Sequence, residues 1–180
     1  MASGTKMVIE SIKSEYNRYR NLAEAAIKQV NDSDIHKLVG ETENSIAILL
    51  NHLSGNLKSR FSNLLTEDGE KEWRNRDGEF EEHGEVRDIL LKKWDEAFDI
   101  LFTELDKLTD TDLSKEVKIR GIELTVSDAL ARSLSHLAYH VGQIVLMARL
   151  HVGGEWKSLS IPKGKSQAYN SHPTNEKKPN

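Results

Sequence analysis

The chain lacks cysteine entirely, and this absence limits its chemistry more than any other feature of the composition. A protein without thiols has neither a disulfide nor a cysteine nucleophile. Nucleophilic chemistry would therefore depend on a metal-bound water, on a metal-bound cofactor or substrate, or on an ordinary side chain. The lack of cysteine is also in keeping with a reducing compartment, so we predict a cytoplasmic protein.

Long hydrophobic runs and a strong excess of one charge are also missing. No apolar run exceeds five residues, as in Ile46–Leu50, which is far too short to span a bilayer. The first twenty residues carry six charged side chains, so they contain no signal-peptide core. A net charge of -4 and a pI near 6.0 provide no electrostatic footprint for nucleic acid. We therefore expect neither a membrane nor a nucleic-acid partner.

Helical periodicity dominates the 180 residues. Apolar residues three and four apart, together with capping residues, predict four helices. These run from about Lys6 to Val30, from Asn44-Ser45 to Leu65, from Glu85 to Leu108, and from Thr125 to Leu150. A break at residues 31–34 and a hairpin-like excursion at residues 115–124, around Gly121, separate them. The pattern predicts an all-α four-helix bundle formed by one domain, 1–170, followed by a flexible tail, 171–180.

The connection between the second and third helices, Thr66 to Glu85, is unusually long and charged. Twelve of its twenty residues are charged, which is typical of a solvated loop, yet it also contains Trp73 and Phe80. Long connections in compact domains are more often functional than idle, so we expect this crossover to be ordered over one end of the bundle. Arg74 and Arg76 then become candidates to bind an anionic cofactor or substrate, the alternative being solvated charges or ion pairs.

Three histidines are the strongest functional signal. His136 and His140 are four residues apart and share a helix face, and His52 lies in another helix, so the three rings suit one metal ion with open coordination positions. Periodicity alone also allows all three to face water. Asn56, Ser133 and Gln143 are candidates to hydrogen-bond the second nitrogen of a ligand ring.

Two other motifs are excluded. Leu137 stands where the H-E-x-x-H motif of zinc proteases needs its glutamate. Gly164-Lys165-Ser166 resembles the end of a phosphate-binding loop, but Leu159 occupies the position of the required earlier glycine, and no helix is predicted after Ser166.

Longer stretches around the histidines resemble a known superfamily. Residues 51–53, Asn-His-Leu, together with residues 135–144, Ser-His-Leu-Ala-Tyr-His-Val-Gly-Gln-Ile, are similar to the DinB-like (YfiT-like) superfamily. The stretches 51–60, 68–71, 73–80 and 159–166 resemble an uncharacterised branch of it. The similarity covers nearly the whole chain up to about Asn170.

This resemblance implies a four-helix bundle, commonly a homodimer, with one divalent metal bound by His52, His136 and His140. Zinc or nickel is expected first, and iron or copper also suits three imidazoles. Relatives include bacillithiol S-transferases, so we expect a metal-dependent transferase that activates a low-molecular-weight thiol against an electrophile. The alternatives are a metal-water hydrolase and a non-enzymatic metal-binding bundle.

Overall fold

The computed structural model describes residues 6–40 and 44–173, and they form an all-α fold with one small hairpin, as predicted. Four long helices carry the architecture: α1 (Met7–Ile27), α2 (Ile46–Phe61), α3 (Arg87–Lys107) and α4 (Val126–Val152). Helix α2 packs along α3, α1 packs along α4, and α2 also contacts α4. Within the described residues, no helix is long and apolar enough to cross a membrane.

The core lies between the four helices, where their apolar stripes meet. Tyr16, Phe61, Trp94 and Phe98 are its largest side chains, and each is at most 1% exposed. The rings of Tyr16 and Phe61 meet edge to face with centroids 5.9 Å apart, which joins α1 to α2. Burial of an apolar side chain of this size contributes about 1.5–3 kcal/mol, so packing rather than helix propensity holds the elements in place.

Capping residues set the helix starts that the sequence predicted. Ser45 Oγ accepts a hydrogen bond from the backbone N–H of Ile48 at 3.2 Å, and Thr125 Oγ1 accepts one from Asp128 at 3.0 Å. Each bond satisfies an N–H that has no partner within its helix. The starts of α2 and α4 therefore lie within two residues of their predicted positions.

Two predicted helix ends were wrong by three or four residues. Helix α2 ends at Phe61 instead of Leu65, because Asn63 adopts a left-handed conformation with φ 54° and the Leu64 N–H turns to Glu104 Oε1 at 3.0 Å. Helix α1 ends at Ile27 instead of Val30, and the Arg87 guanidinium binds the carbonyl oxygens of both residues. Both corrections depend on residues about 40 to 60 positions away, which local periodicity does not contain.

The predicted hairpin is present as two antiparallel strands, β1 (Glu116–Ile119) and β2 (Ile122–Thr125). Arg120 and Gly121 form its two-residue turn, with φ angles of 57° and 73°. A two-residue turn with positive φ at both positions matches the twist of the flanking strands. The hairpin places the Arg120 side chain beside the histidine end of the bundle.

The C-terminal part differs from the prediction in one element. A six-residue helix, α5 (Ser166–Ser171), follows residue 165, where no helix was predicted. Trp156 and Leu159 pack partly buried against the core. Most of the predicted flexible tail, residues 174–180, lies outside the described residues.

Candidate metal centre

Three imidazole rings from two helices converge at one end of the bundle. His52 comes from the middle of α2, and His136 and His140 come from successive turns of α4. One ligand atom from each ring lies within 4.8 Å of the others. His52 is 2% exposed and His140 9%, so the rings face inward rather than toward water. The structure thus brings together the three residues that the sequence proposed as ligands.

The hydrogen bonds of the Nδ1 atoms of His52 and His140 determine which nitrogen of each ring is available to bind a metal. His52 Nδ1 lies 3.0 Å from Glu79 Oε2, and His140 Nδ1 lies 2.7 Å from Gln143 Oε1. Because both oxygens accept, both Nδ1 atoms donate, which leaves Nε2 of each ring as the nitrogen that can bind a metal when the ring is neutral. Gln143 thus occupies the position proposed for it, whereas Asn56 and Ser133 line the cavity beside the rings.

The distance between the Nε2 atoms of His52 and His136 fits binding to one shared cation. His52 Nε2 and His136 Nε2 are 3.1 Å apart, and two nitrogens bound tetrahedrally at about 2.0–2.1 Å from one zinc ion would be about 3.3 Å apart. Without a cation, either one Nε2 atom must donate a hydrogen bond to the other or two Nε2 lone pairs must face each other. The donor set and its spacing therefore fit a three-nitrogen metal site.

Burial and electrostatics favour the neutral form of the two α4 histidines. Burial, followed by the repulsion that a protonated His140 or His52 would exert, lowers the pKa of His136 to about 4. Burial also lowers the pKa of His140, against the hydrogen bond to Gln143. Since only a neutral imidazole binds a metal, protons compete weakly for His136 and His140 at neutral pH.

The charged crossover, residues 66–85, folds over this end of the bundle. Phe80 stacks on His52 with ring centroids 4.4 Å apart and planes tilted by 33°. Glu79 accepts hydrogen bonds from Arg74 Nε at 2.7 Å and Nη2 at 2.8 Å. Burial raises the pKa of Glu79, but the hydrogen bonds and charges of Arg74 and His52 outweigh it and lower that pKa overall. Glu79 is therefore ionised and holds His52 in one orientation.

The two arginines proposed from the sequence occupy different places. The Arg74 side chain is 1% exposed and is paired with Glu79, so it supports the histidine rather than facing the cavity. Arg76 is half exposed and lines the cavity next to His52 and His136. Arg60 and Arg132 also line this cavity, and sequence reasoning did not find them. Helical spacing contains a signal for both, because Arg60 lies eight residues after His52 and Arg132 lies four residues before His136, each on the helix face of that histidine.

The fold and the site together define an all-α bundle with a candidate three-histidine metal centre. Over residues 3–165 the chain matches a protein family described as "protein of unknown function (DUF1572)", and it belongs to that family. No curated protein and no solved structure matches the chain.

Proposed function

We propose that this protein is a metal-dependent transferase that activates a low-molecular-weight thiol, such as bacillithiol, for attack on an electrophilic substrate. The observation that carries the proposal is the convergence of three imidazoles beside an open cavity in a chain that contains no cysteine. A reactive thiolate must then be supplied by a cofactor. We place the reaction in the cytoplasm, where such thiols are kept reduced.

We also propose that the family is a branch of the DinB-like superfamily. Two observations support this. The first is the arrangement of the site, with one histidine on α2 and a pair four residues apart on α4. The second is the four-helix bundle that surrounds it. A homodimer is expected on the same grounds. Light scattering on a purified micromolar sample distinguishes a dimer from the monomer mass of 20.4 kDa.

His52, His136 and His140 would hold the metal, with zinc or nickel the first candidates and iron or copper also suited to the donors. A divalent cation held there would supply Lewis acidity, which would favour the thiolate over the thiol at neutral pH. Glu79 and Gln143 keep His52 and His140 oriented with Nε2 inward. Phe80 covers His52 and excludes water from that side. In the reaction the sulfur bonds to the electrophilic carbon, the leaving group departs with its electron pair, and the thiol proton goes to solvent.

The geometry favours thiol transfer over hydrolysis by metal-bound water. A hydrolase of this kind needs a general base, and Glu79 is the nearest carboxylate, but both of its oxygens are engaged by Arg74 and one also by His52. Among the described residues, no carboxylate lines the cavity beside the rings. A site that lacks a free base suits a cofactor whose thiol is acidified by the metal alone.

The test combines metal analysis with an activity screen. We expect about one divalent ion per chain and turnover of an aryl halide such as 1-chloro-2,4-dinitrobenzene only when metal and a thiol from a small panel are both present. A chelator should stop turnover and added metal should restore it. The rate should rise with pH and level once the thiol is deprotonated.

Variants connect that activity to the site. Exchanging both α4 ligands, His136→Ala with His140→Ala, should abolish stoichiometric metal and turnover while circular dichroism still shows a helical bundle. His172→Ala is the matched control, since this histidine is exposed and distant in sequence from the site. Undiminished metal in the double variant would disprove the site, and full ester hydrolysis without any thiol would favour the hydrolase.

A further inference from the structure

A cavity of about 200 Å³ opens directly beside the histidines. His52 and His136 line it together with polar and apolar side chains and four arginines: Arg60 from α2, Arg76 from the crossover, Arg120 from the hairpin turn and Arg132 from α4. Four different segments of the chain therefore contribute the same residue type to one cavity. The volume suits a small molecule rather than a polymer.

The charged residues that line this cavity are of one type, arginine. The chain has nine arginines and carries a net charge of -4, yet four of the nine surround this one cavity and no lysine or carboxylate does so among the described residues. Guanidinium groups present planar pairs of N–H donors that match carboxylate and phosphate oxygens. A concentration of them against the overall charge of the protein indicates recognition of an anion.

The arginines are incompletely neutralised by the protein. Arg60 and Arg120 share a single oxygen, Glu70 Oε2, at 3.0 and 3.1 Å. The nearest acid to Arg76 is Asp77 at 3.9 Å, and its side chain is 99% exposed. Arg132 has no ion pair with any residue in the described ranges 6–40 and 44–173.

Positive charge is crowded around Arg60, the most buried of the four. Burial, together with the charges of Arg74 and Arg120, lowers the pKa of Arg60 against the hydrogen bond that it donates to Glu70. An additional anion in the cavity would relieve that crowding, because buried positive charges are stabilised by an opposite charge nearby.

Hydrogen bonds within the protein also hold Arg60 and Arg120 in place before any ligand binds. Arg60 donates to the Gly69 carbonyl oxygen, and Asp68 accepts the backbone N–H groups of Arg120 and Gly121 at 2.8 and 2.7 Å. These bonds connect α2, the crossover and the hairpin, so Arg60 and Arg120 are fixed in position. Preorganised donors lose little entropy when they bind a ligand.

We propose that this cavity binds the carboxylate or phosphate group of a small anionic ligand and directs the rest of that ligand toward His52 and His136. That the ligand is the thiol cofactor or its electrophile rests on the proposed function, whereas the anion site itself does not. Arg76 and Arg132, which have no close ion-pair partner among the described residues, supply the free donors. Arg60 and Arg120 supply fixed positive charge.

Calorimetric titration of the chelator-treated protein tests this directly, with inorganic phosphate, succinate and uncharged succinamide as probes. We expect phosphate or succinate to bind, with an affinity that falls as salt is raised. Exchanging both free donors, Arg76→Gln with Arg132→Gln, should weaken binding at least about 10-fold, as the loss of charged hydrogen bonds predicts. Arg149→Gln is the matched control, because Arg149 is also an exposed arginine of α4 but does not line the cavity.

Each result has one meaning. Binding of phosphate alone assigns a phosphate-bearing ligand, and binding of succinate alone assigns a carboxylate-bearing one. Absence of binding by both anions, equal binding of succinamide, or equal weakening by Arg149→Gln would overturn the anion site. The metal is assayed separately: the arginine variant should retain its full metal content, and His140→Ala, which removes a proposed metal ligand that does not line the cavity, should still bind the anion. Anion binding without any metal site would therefore contradict the proposed function alone.

Discussion

At the residue scale, a glycine in the middle of α2 allows His52 to keep its carboxylate partner. A Cβ atom at Gly55 would overlap Glu79 Oε1, so the absence of a side chain there makes room for the carboxylate against the helix. Glycine in a helix interior costs about 0.5–1 kcal/mol relative to alanine. The chain tolerates that cost where the backbone of α2 and the Arg74–Glu79 pair approach each other.

Gly55→Ala should therefore weaken metal binding about 10- to 100-fold, the usual consequence of losing a hydrogen-bond partner of a ligand. Competition with a chromophoric chelator measures the affinity. Gly142→Ala is the matched control, because Gly142 lies inside α4 with nothing within 4 Å of its added Cβ. It should leave the affinity unchanged and raise the free energy of unfolding by about 0.5–1 kcal/mol. Equal affinity in the two variants would contradict the role of Glu79.

The depressed pKa of His136 makes the metal-free protein sensitive to acid. The pKa is about 4 in the folded state and its ordinary value is 6.5, so below pH 6.5 the unfolded chain takes up a proton that the folded chain does not. The free energy of unfolding should thus fall as the pH falls from about 6.5 to 4, and be unaffected by this group above that window. Urea unfolding at several pH values checks this, and His136→Gln should flatten the profile. A metal-free protein that is equally stable at pH 7 and pH 5 would refute it.

At the scale of elements, the crossover and the hairpin act as one support for the site. Asp68 accepts three backbone N–H groups, from Glu70 at 2.7 Å, Arg120 at 2.8 Å and Gly121 at 2.7 Å. The Gly69 N–H also donates to the Lys118 carbonyl oxygen at 2.7 Å. Neither segment has a core of its own, so each keeps its shape through the other.

Asp68→Ala should cost about 1–2 kcal/mol, since three N–H donors lose a charged acceptor and must turn to water. Denaturant unfolding gives the difference, and hydrogen exchange should show faster exchange at Arg120 and Gly121. Asp77→Ala is the control on the same crossover, because the Asp77 side chain is 99% exposed and should change stability by no more than about 0.5 kcal/mol. If the two variants proved equally stable, the crossover would not depend on the hairpin.

At the scale of the whole molecule, the metal site links two helices that come from different halves of the chain. His52 lies on α2 and the pair on α4, so a bound cation would add a cross-link at the end of the bundle where these helices meet. A ligand that binds only the folded state stabilises it in proportion to the logarithm of its concentration.

Free metal at about 100 times its dissociation constant should therefore stabilise the protein by about 2.7 kcal/mol. For a chain of this size, that corresponds to a rise in Tm of about 5–10 °C. Differential scanning calorimetry with and without chelator measures the shift. The His136→Ala, His140→Ala variant serves as its control and should show none, and a shift of the same size in that variant would place the metal elsewhere.

The sequence by itself determined the helices, the hairpin and the pairing of His136 with His140. Helical periodicity decides which residues share a face, and capping residues such as Ser45 and Thr125 satisfy N–H groups only a turn away. These are local effects, and a local pattern is sufficient to predict them.

Only the tertiary structure decided that His52 meets the α4 pair, that Glu79 turns inward to hold it, and that arginines from four segments surround one cavity. The crossover has no periodicity, and its charges are equally compatible with water or with buried ion pairs. Which of these occurs depends on partners that are close in space and distant in sequence, such as Asp68 with Arg120. The packing of α2 against α4 brings these groups together, and it follows from the core as a whole.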